Sequence, residues 1–250
     1  MFSLLSFQIK PLHLEKPKIY DCFLFYNELD LLELRFHELY DHVDYFVIVE
    51  AVETFRGNPK KLYFEENRNF FEPFLDKIIH VVIEDRFITE NPWEREAFQR
   101  NQIMRGLKNC NTNDIILISD VDEIIRASVL TEVRNRLYTE PERAIGFIQP
   151  MYRYFINCLD AECWFGTIAT YYLHLQKYCP EHFRQQRWFY PPIQNAGWHF
   201  TWMGGPERIV QKVISFSHSE SDIPETRDPK NWEAGIHSYG QLVEIDETFP

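Results

Sequence analysis

Four runs of large apolar and aromatic residues recur through the first half of the chain, and each gap between them is long enough to hold a helix. The runs are Ile19–Phe25, Val43–Glu50, Lys77–Ile83 and Asp114–Ser119. Short, nearly continuous apolar runs are the mark of strands buried on both faces. In the first gap Leu29, Leu32, Phe36, Leu39 and Tyr40 recur at helical spacing behind the polar stretch Asn27-Glu28. A short polar-aromatic helix is expected over Asn67–Leu75, after a loop at Thr54–Lys61. Pro92-Trp93 opens a longer helix expected to reach about Asn109, with Trp93, Ala97, Met104 and Leu107 near one stripe. Strands alternating with helices in this way predict an α/β fold built on a mostly parallel sheet flanked by helices.

Beyond about Arg143 the pattern changes. Ala144–Ile156 and Trp164–Leu175 are long, aromatic and extended, which predicts antiparallel strands. Gly197–Gly205 reads as a loop, Pro206–Phe216 as a helix, and Ser219–Pro250 as a polar tail with little periodicity. Nothing marks a second core, so residues 18–250 are expected to form one domain, preceded by an arm over residues 1–17. The domain divides into a half over about 18–125 and an aromatic-rich half over about 126–240.

The formal net charge of −12 excludes the basic footprint that a nucleic acid requires and disfavours an anionic membrane surface. An acidic chain that takes a phosphorylated ligand needs a metal ion or a few placed cations. The five cysteines show no CxxC spacing and read as reduced thiols, a Cys158–Cys163 bridge being the alternative pairing. No run approaches the roughly 20 apolar residues of a membrane span. The absence of an Asn-x-Ser/Thr sequon agrees with a cytoplasmic expectation.

The chemistry concentrates in IILISDVDEII. An aliphatic strand delivers Asp120 and Asp122 to the carboxyl edge of the sheet, where open α/β sheets bind ligands. Two hard oxygen donors one residue apart, with Glu123 beside them, suit Mg²⁺ or Mn²⁺, ions that take their remaining ligands from water and a substrate diphosphate. Asp after a strand also serves turns, so the triplet alone supports only a divalent-metal site. A phosphatase of the haloacid dehalogenase type places a similar motif after a strand, with Asp120 as nucleophile. It wants Thr or Val where Ile124 stands, and usually carries the motif on its first strand. A non-catalytic glycan-binding protein would account for the aromatic content of 16%. His37-Glu38 lacks the second histidine of a zinc-protease helix, Asp41 standing in its place.

Four blocks in order carry a more specific resemblance: VIVEAVETFRGNPK, WEREAFQRNQI, IILISDVDEI and GWHFTWMGGPE. From about Lys18 to Tyr239 the chain resembles glycosyltransferase family 17, the β-1,4-mannosyl-glycoprotein 4-β-N-acetylglucosaminyltransferases and their shorter relatives. The resemblance implies a GT-A (Rossmann-like) fold, a UDP-GlcNAc donor, a glycan acceptor taken by the second half, a divalent cation (Mn²⁺ or Mg²⁺) and inversion at the anomeric carbon. It implies that Asp122 ligates the metal, that Asp120 holds the ribose or a metal-bound water, and that a histidine in the C-terminal part completes the shell. His199 is the first choice for that histidine and His218 the second.

The loops after the first two strands would then hold the uridine, which nominates Tyr26, Asn27, Glu28, Glu50 and Thr54. Arg56 and Lys60 would reach the diphosphate, with Arg100 and Asn101 on the preceding helix as further candidates. Trp198 and Trp202 would stack on sugar. An inverting transfer needs a base to take the acceptor proton. Glu207 is nominated because Gly204-Gly205 allow close backbone approach and Pro206 starts a helix, placing Glu207 in its first turn. Acidic residues also favour first turns for dipole reasons, and Asp160 and Glu162 are the other candidates.

Overall fold

The computed structural model describes residues 16–139, 144–228, 231 and 241–243. Residues 1–15 of the expected N-terminal arm and most of the tail beyond 228 lie outside the described residues. Ten strands are present among those described, named in chain order: β1 (Ile19–Leu24), β2 (Tyr45–Ala51), β3 (Ile78–Ile83), β4 (Ile115–Asp120), β5 (Glu123–Ile125), β6 (Ile145–Arg153), β7 (Cys158–Tyr171), β8 (Pro192–Ile193), β9 (Gly197–Thr201) and β10 (Gln241–Leu242). The helices are α1 (Leu29–Leu39), α2 (Tyr63–Glu66), α3 (Pro92–Asn101), α4 (Ile103–Gly106), α5 (Leu130–Thr139), α6 (Tyr172–Leu175), α7 (Pro180–Gln185), α8 (Gly205–Val213) and α9 (Pro224–Arg227).

One sheet runs through the molecule in the order β3-β2-β1-β4-β7-β6-β9-β5. Its first half is parallel, β3 on β2, β2 on β1 and β1 on β4. From β4 onward β7 and β6 are antiparallel partners. This is the α/β, GT-A-like architecture that the resemblance implies, and the change of strand direction falls where the residue pattern changes. Side chains alternate across each strand. Along β1, Ile19 and Phe23 face one core with α1 and α5, while Tyr20, Cys22 and Leu24 face another with α3 and α4. Both faces are thus covered, which is why the parallel strands read as continuous apolar runs.

Three expectations are corrected. The segment read as a loop, Gly197–Gly205, begins as strand β9. A Cβ on Gly197 would stand 2.1 Å from the Ile124 carbonyl oxygen, so this glycine serves close packing on β5 rather than a turn. The helix expected to reach Asn109 breaks at Gln102 and restarts as α4. The restart seats Gly106 on β2, where a Cβ would meet Val47 at 2.4 Å. Trp93, assigned to the apolar stripe, is 46% exposed and packs edge-on against His218 instead. Cys22, Cys110, Cys158, Cys163 and Cys179 are all free. No described helix is long and apolar enough to cross a membrane.

Candidate active site

In the parallel half β1 is flanked by β2 on one side and β4 on the other. The chain leaves β1 and β4 in opposite directions, which makes their carboxyl ends the switch point at which open α/β sheets bind ligands. Asp120 ends β4, and Tyr26-Asn27-Glu28 follows β1 at the same edge. The loop between β4 and β5 is shaped from beneath by Arg35 of α1, a fully buried guanidinium. Its Nη1 donates to the carbonyls of Asp120, Val121 and Glu123 at 3.1, 3.2 and 2.9 Å. Its other nitrogens donate to Asp21 at 2.7 and 2.5 Å and to Ser119 Oγ at 2.6 Å. Strand alternation puts Asp21 on the face that meets α1, so a charged residue inside β1 balances the arginine that holds the acidic loop.

Asp120 and Glu123 are held by a second set of cations. Arg184 of α7 donates to both Glu123 oxygens, at 2.8 and 2.7 Å, and to Asp120 Oδ2 at 2.7 Å. Arg100 of α3 donates to Asp120 Oδ1 at 2.9 Å and pairs with Glu96 and Glu181 at 2.6 Å each. Glu123 also accepts from Trp164 Nε1 at 2.7 Å and from the Asp120 amide at 3.1 Å. It is fully buried, and a Cβ on Gly166 would stand 2.8 Å from its carboxyl carbon. Glu123 is therefore a structural anchor, not the third metal donor its adjacency suggests. Burial alone pushes the Asp120 carboxyl up, but Arg184 and Arg100 outweigh it and hold the group at about 2. Arg187, on the turn after α7, is lowered to about 10 by burial and by Arg184 beside it. Arg35 and Arg184 were missed at the sequence level, because nothing in an isolated Arg shows that a distant carboxylate folds onto it.

Asp122 has different company. Lys212 Nζ of α8 lies 2.6 Å from its Oδ2, and His199 Nε2 of β9 lies 3.6 Å from its Oδ1. Burial raises this carboxyl too, yet Lys212 and His199 together hold it well below the usual carboxylate range. The β5–β9 pairing places His199 opposite Glu123, and alternation along β9 turns it away from the apolar side that carries Trp198 and Phe200. Helix α8 also contacts the β1 loop. Gln211 accepts from Asn27 Nδ2 at 3.1 Å, and Lys212 Nζ stands 4.0 Å from Glu28 Oε1. Glu28 Oε2 accepts from the Tyr26 and Asn27 amides at 3.3 and 3.0 Å. Tyr26 Oη meets Ser215 Oγ at 3.0 Å. Tyr26, Asn27, Glu28, Asp120, Asp122 and His199 are thus brought to one edge.

Other nominated residues stand elsewhere or act through a neighbour. Glu50 is fully buried, paired with His80 at 3.0 Å and Lys60 at 3.5 Å, and accepts from the Phe64 amide. It anchors Lys60, whose ammonium sits 5.5 Å from the Tyr26 ring, and offers no free oxygen to a nucleotide. Thr54 is 6% exposed, its hydroxyl closing the turn to the Asn58 amide. Arg100, 2% exposed, is spent on carboxylates of the protein. Asn101 accepts from the Glu181 amide at the start of α7. Trp198, 2% exposed, is core against Phe200 and Tyr152 and has no face for a sugar. Trp202 packs near Tyr154 and under Arg153. Arg56 pairs with Asp222 and the Phe216 carbonyl. His218 pairs with exposed Glu220 rather than with the acidic loop. Glu207 is the exception: it lies exposed in the first turn of α8, the helix that carries Gln211 and Lys212 to the edge, whereas Asp160 is paired with Arg153 at 2.7 Å.

Asp122 and His199 offer one carboxylate oxygen and one imidazole nitrogen side by side. No three His, Cys, Asp or Glu side chains gather as a closed metal site among the described residues. That donor set fits a Mn²⁺-type ion that takes most of its shell from water and a ligand's phosphates.

Comparison with known proteins agrees with the sequence blocks. Residues 7–238 match the family described as glycosyltransferase family 17. The chain is 29% identical over 262 aligned positions to the β-1,4-mannosyl-glycoprotein 4-β-N-acetylglucosaminyltransferases of Rattus norvegicus and Homo sapiens, covering 90% of this chain and 48% of each relative. It therefore spans about half the length of the curated relatives it matches. Among solved structures, a mannosyltransferase from Pyrobaculum calidifontis in complex with GDP-Man and Mn²⁺ aligns over 90% of this chain and 69% of its own, at 14% identity and a TM-score of 0.47. A 4-diphosphocytidyl-2C-methyl-D-erythritol synthase aligns over 72% of this chain and 90% of its own, at 13% identity and a TM-score of 0.44.

Proposed function

The chain belongs to glycosyltransferase family 17, and from that premise we propose that it transfers N-acetylglucosamine from UDP-GlcNAc to a glycan acceptor, with a divalent cation at Asp122 and inversion at the anomeric carbon. The observation that carries the reading is the meeting of Asp122 and His199 at the carboxyl edge beside Tyr26, Asn27 and Glu28. A divalent ion bound there would offset the charge of the leaving diphosphate. The protein's own part is to hold the donor still. Tyr26 and Lys60 border the uridine side, and Arg100 and Arg184 keep Asp120 ionised and oriented toward the ribose. Glu207 accepts the acceptor hydroxyl proton on its exposed carboxylate. The phosphatase alternative is disfavoured, since the motif lies on the fourth strand with Ile124 where that family wants Thr or Val, and two guanidinium groups lower the nucleophilicity of Asp120.

Thermal-shift titration with UDP-GlcNAc tests the donor site, because a ligand that binds only the folded state raises the melting temperature. Stabilisation that requires Mn²⁺ is the expected result, and no response to any UDP-sugar would overturn the reading. Glu207→Gln should keep that stabilisation while turnover falls by roughly 10²–10⁴-fold. Unchanged turnover would remove Glu207 from the role of base.

A further inference from the structure

Lys212 is the one described cation that touches the triplet at Asp122, and it stands where a metal's positive charge is expected. Its Nζ is 2.6 Å from Asp122 Oδ2, while the other carboxylate oxygen faces His199. Ile209 and Val213 of α8 are both buried, so the helix that presents the lysine stem is anchored along its apolar side. A second acceptor lies within reach, Glu28 Oε1 at 4.0 Å, whose other oxygen is committed to the amides of Tyr26 and Asn27. The ammonium thus has a carboxylate to retreat to without leaving the edge.

The geometry points to Lys212 as a resident counter-cation that a divalent ion must displace from Asp122, and that then pairs with the donor's diphosphate, so that metal and nucleotide bind together. This rests on the donor site proposed above. The reason is charge. Without nucleotide, an incoming divalent ion meets an ammonium already on its main ligand, and like charges at ion-pair distance repel strongly where water is scarce. Asp120 offers no relief, since Arg100 and Arg184 already occupy it. A diphosphate adds negative charge for both cations at once, so each ligand strengthens the other by the same factor. The nucleotide-free protein is thereby kept from holding a metal in a bare acidic loop.

The test is Mn²⁺ binding by the loss of its free electron paramagnetic resonance signal, with and without UDP, in the 250-residue chain. Wild-type protein should bind Mn²⁺ weakly alone and on the order of 10-fold or more tightly with UDP, within the usual span of coupling between sites. Lys212→Met should bind Mn²⁺ on the order of 10-fold more tightly without UDP and lose most of the UDP-dependent gain. Lys212→Arg, which keeps the charge, should behave as wild type. Lys212→Gln repeats the neutral change should the methionine variant fail to fold. Equal Mn²⁺ affinity of wild-type and neutral variants without UDP would overturn the inference, and the donor site would stand if UDP still tightened metal binding. No Mn²⁺ binding in any form, with or without UDP, would remove both, leaving Lys212 a permanent structural partner of Asp122.

Discussion

Two aspartates of one triplet, separated by Val121 alone, are treated in opposite ways by their surroundings. Asp120 lies between Arg100 and Arg184, while Asp122 meets one lysine and one histidine. The consequence for Asp120 has a definite sign. Its carboxyl sits at about 2 in the folded protein against an ordinary 3.8, so folding favours the ionised form. The stabilisation this provides is complete above about pH 4 and is lost as the pH falls to about 2. Asp120→Asn should therefore lower the urea midpoint at neutral pH, with the difference from wild type shrinking below about pH 4. A difference that stayed constant from pH 7 to pH 2.5 would show that the two arginines do not act through the charge of Asp120. At this scale the carboxylates of the triplet were readable from the sequence, as was His199. Their partners were not, because Lys212 and Arg184 lie far along the chain.

Helices α1 and α8 each bring a cation to the acidic loop, Arg35 to its carbonyls and Lys212 to Asp122. Helix α1 carries Arg35 beneath the acidic loop, and the Asp21–Arg35 pair has no exposure on either side. Removing one member of such a pair leaves the other buried and uncompensated, which costs about 3–5 kcal/mol. Arg35→Met should lower the unfolding free energy by that amount, and the loop carbonyls of Asp120, Val121 and Glu123 would lose their common donor. A loss below about 1 kcal/mol, the worth of an exposed pair, would show that Arg35 is not the organiser of the loop. The helical period of α1 was visible in Leu32, Phe36 and Leu39, but nothing in that pattern marks the Arg at position 35 as buried. The opposite error occurred at β9, where Gly, Trp and His suggested a loop. A glycine chosen for close approach looks the same in sequence as one chosen for a turn.

Across the whole molecule the parallel and antiparallel halves share one sheet through the β4–β7 pairing. The site depends on that junction, since Asp120 and Glu123 come from the first half and Arg184, Trp164 and His199 from the second. A fragment ending at residue 125 would leave the apolar edge of β4 without its partner and Glu123 without Arg184 and Trp164. Such a fragment should show no cooperative thermal transition by circular dichroism. A sharp transition in it would show that the first half folds by itself.

The sequence by itself determined the α/β class, the strand that delivers the triplet, the change of pattern past Arg143 and the family, because apolar periodicity and four ordered blocks are local signals. Only the tertiary structure decided which carboxylates remain available. Glu50 and Glu123 are consumed inside the protein, Asp120 is clamped, and Asp122 alone of the triplet faces a histidine and a lysine that could yield to another cation. The physical reason is that a carboxylate's chemistry depends on the charges within a few ångströms of it, and here those charges come from α3, α7, α8 and β9, far from the triplet in the chain.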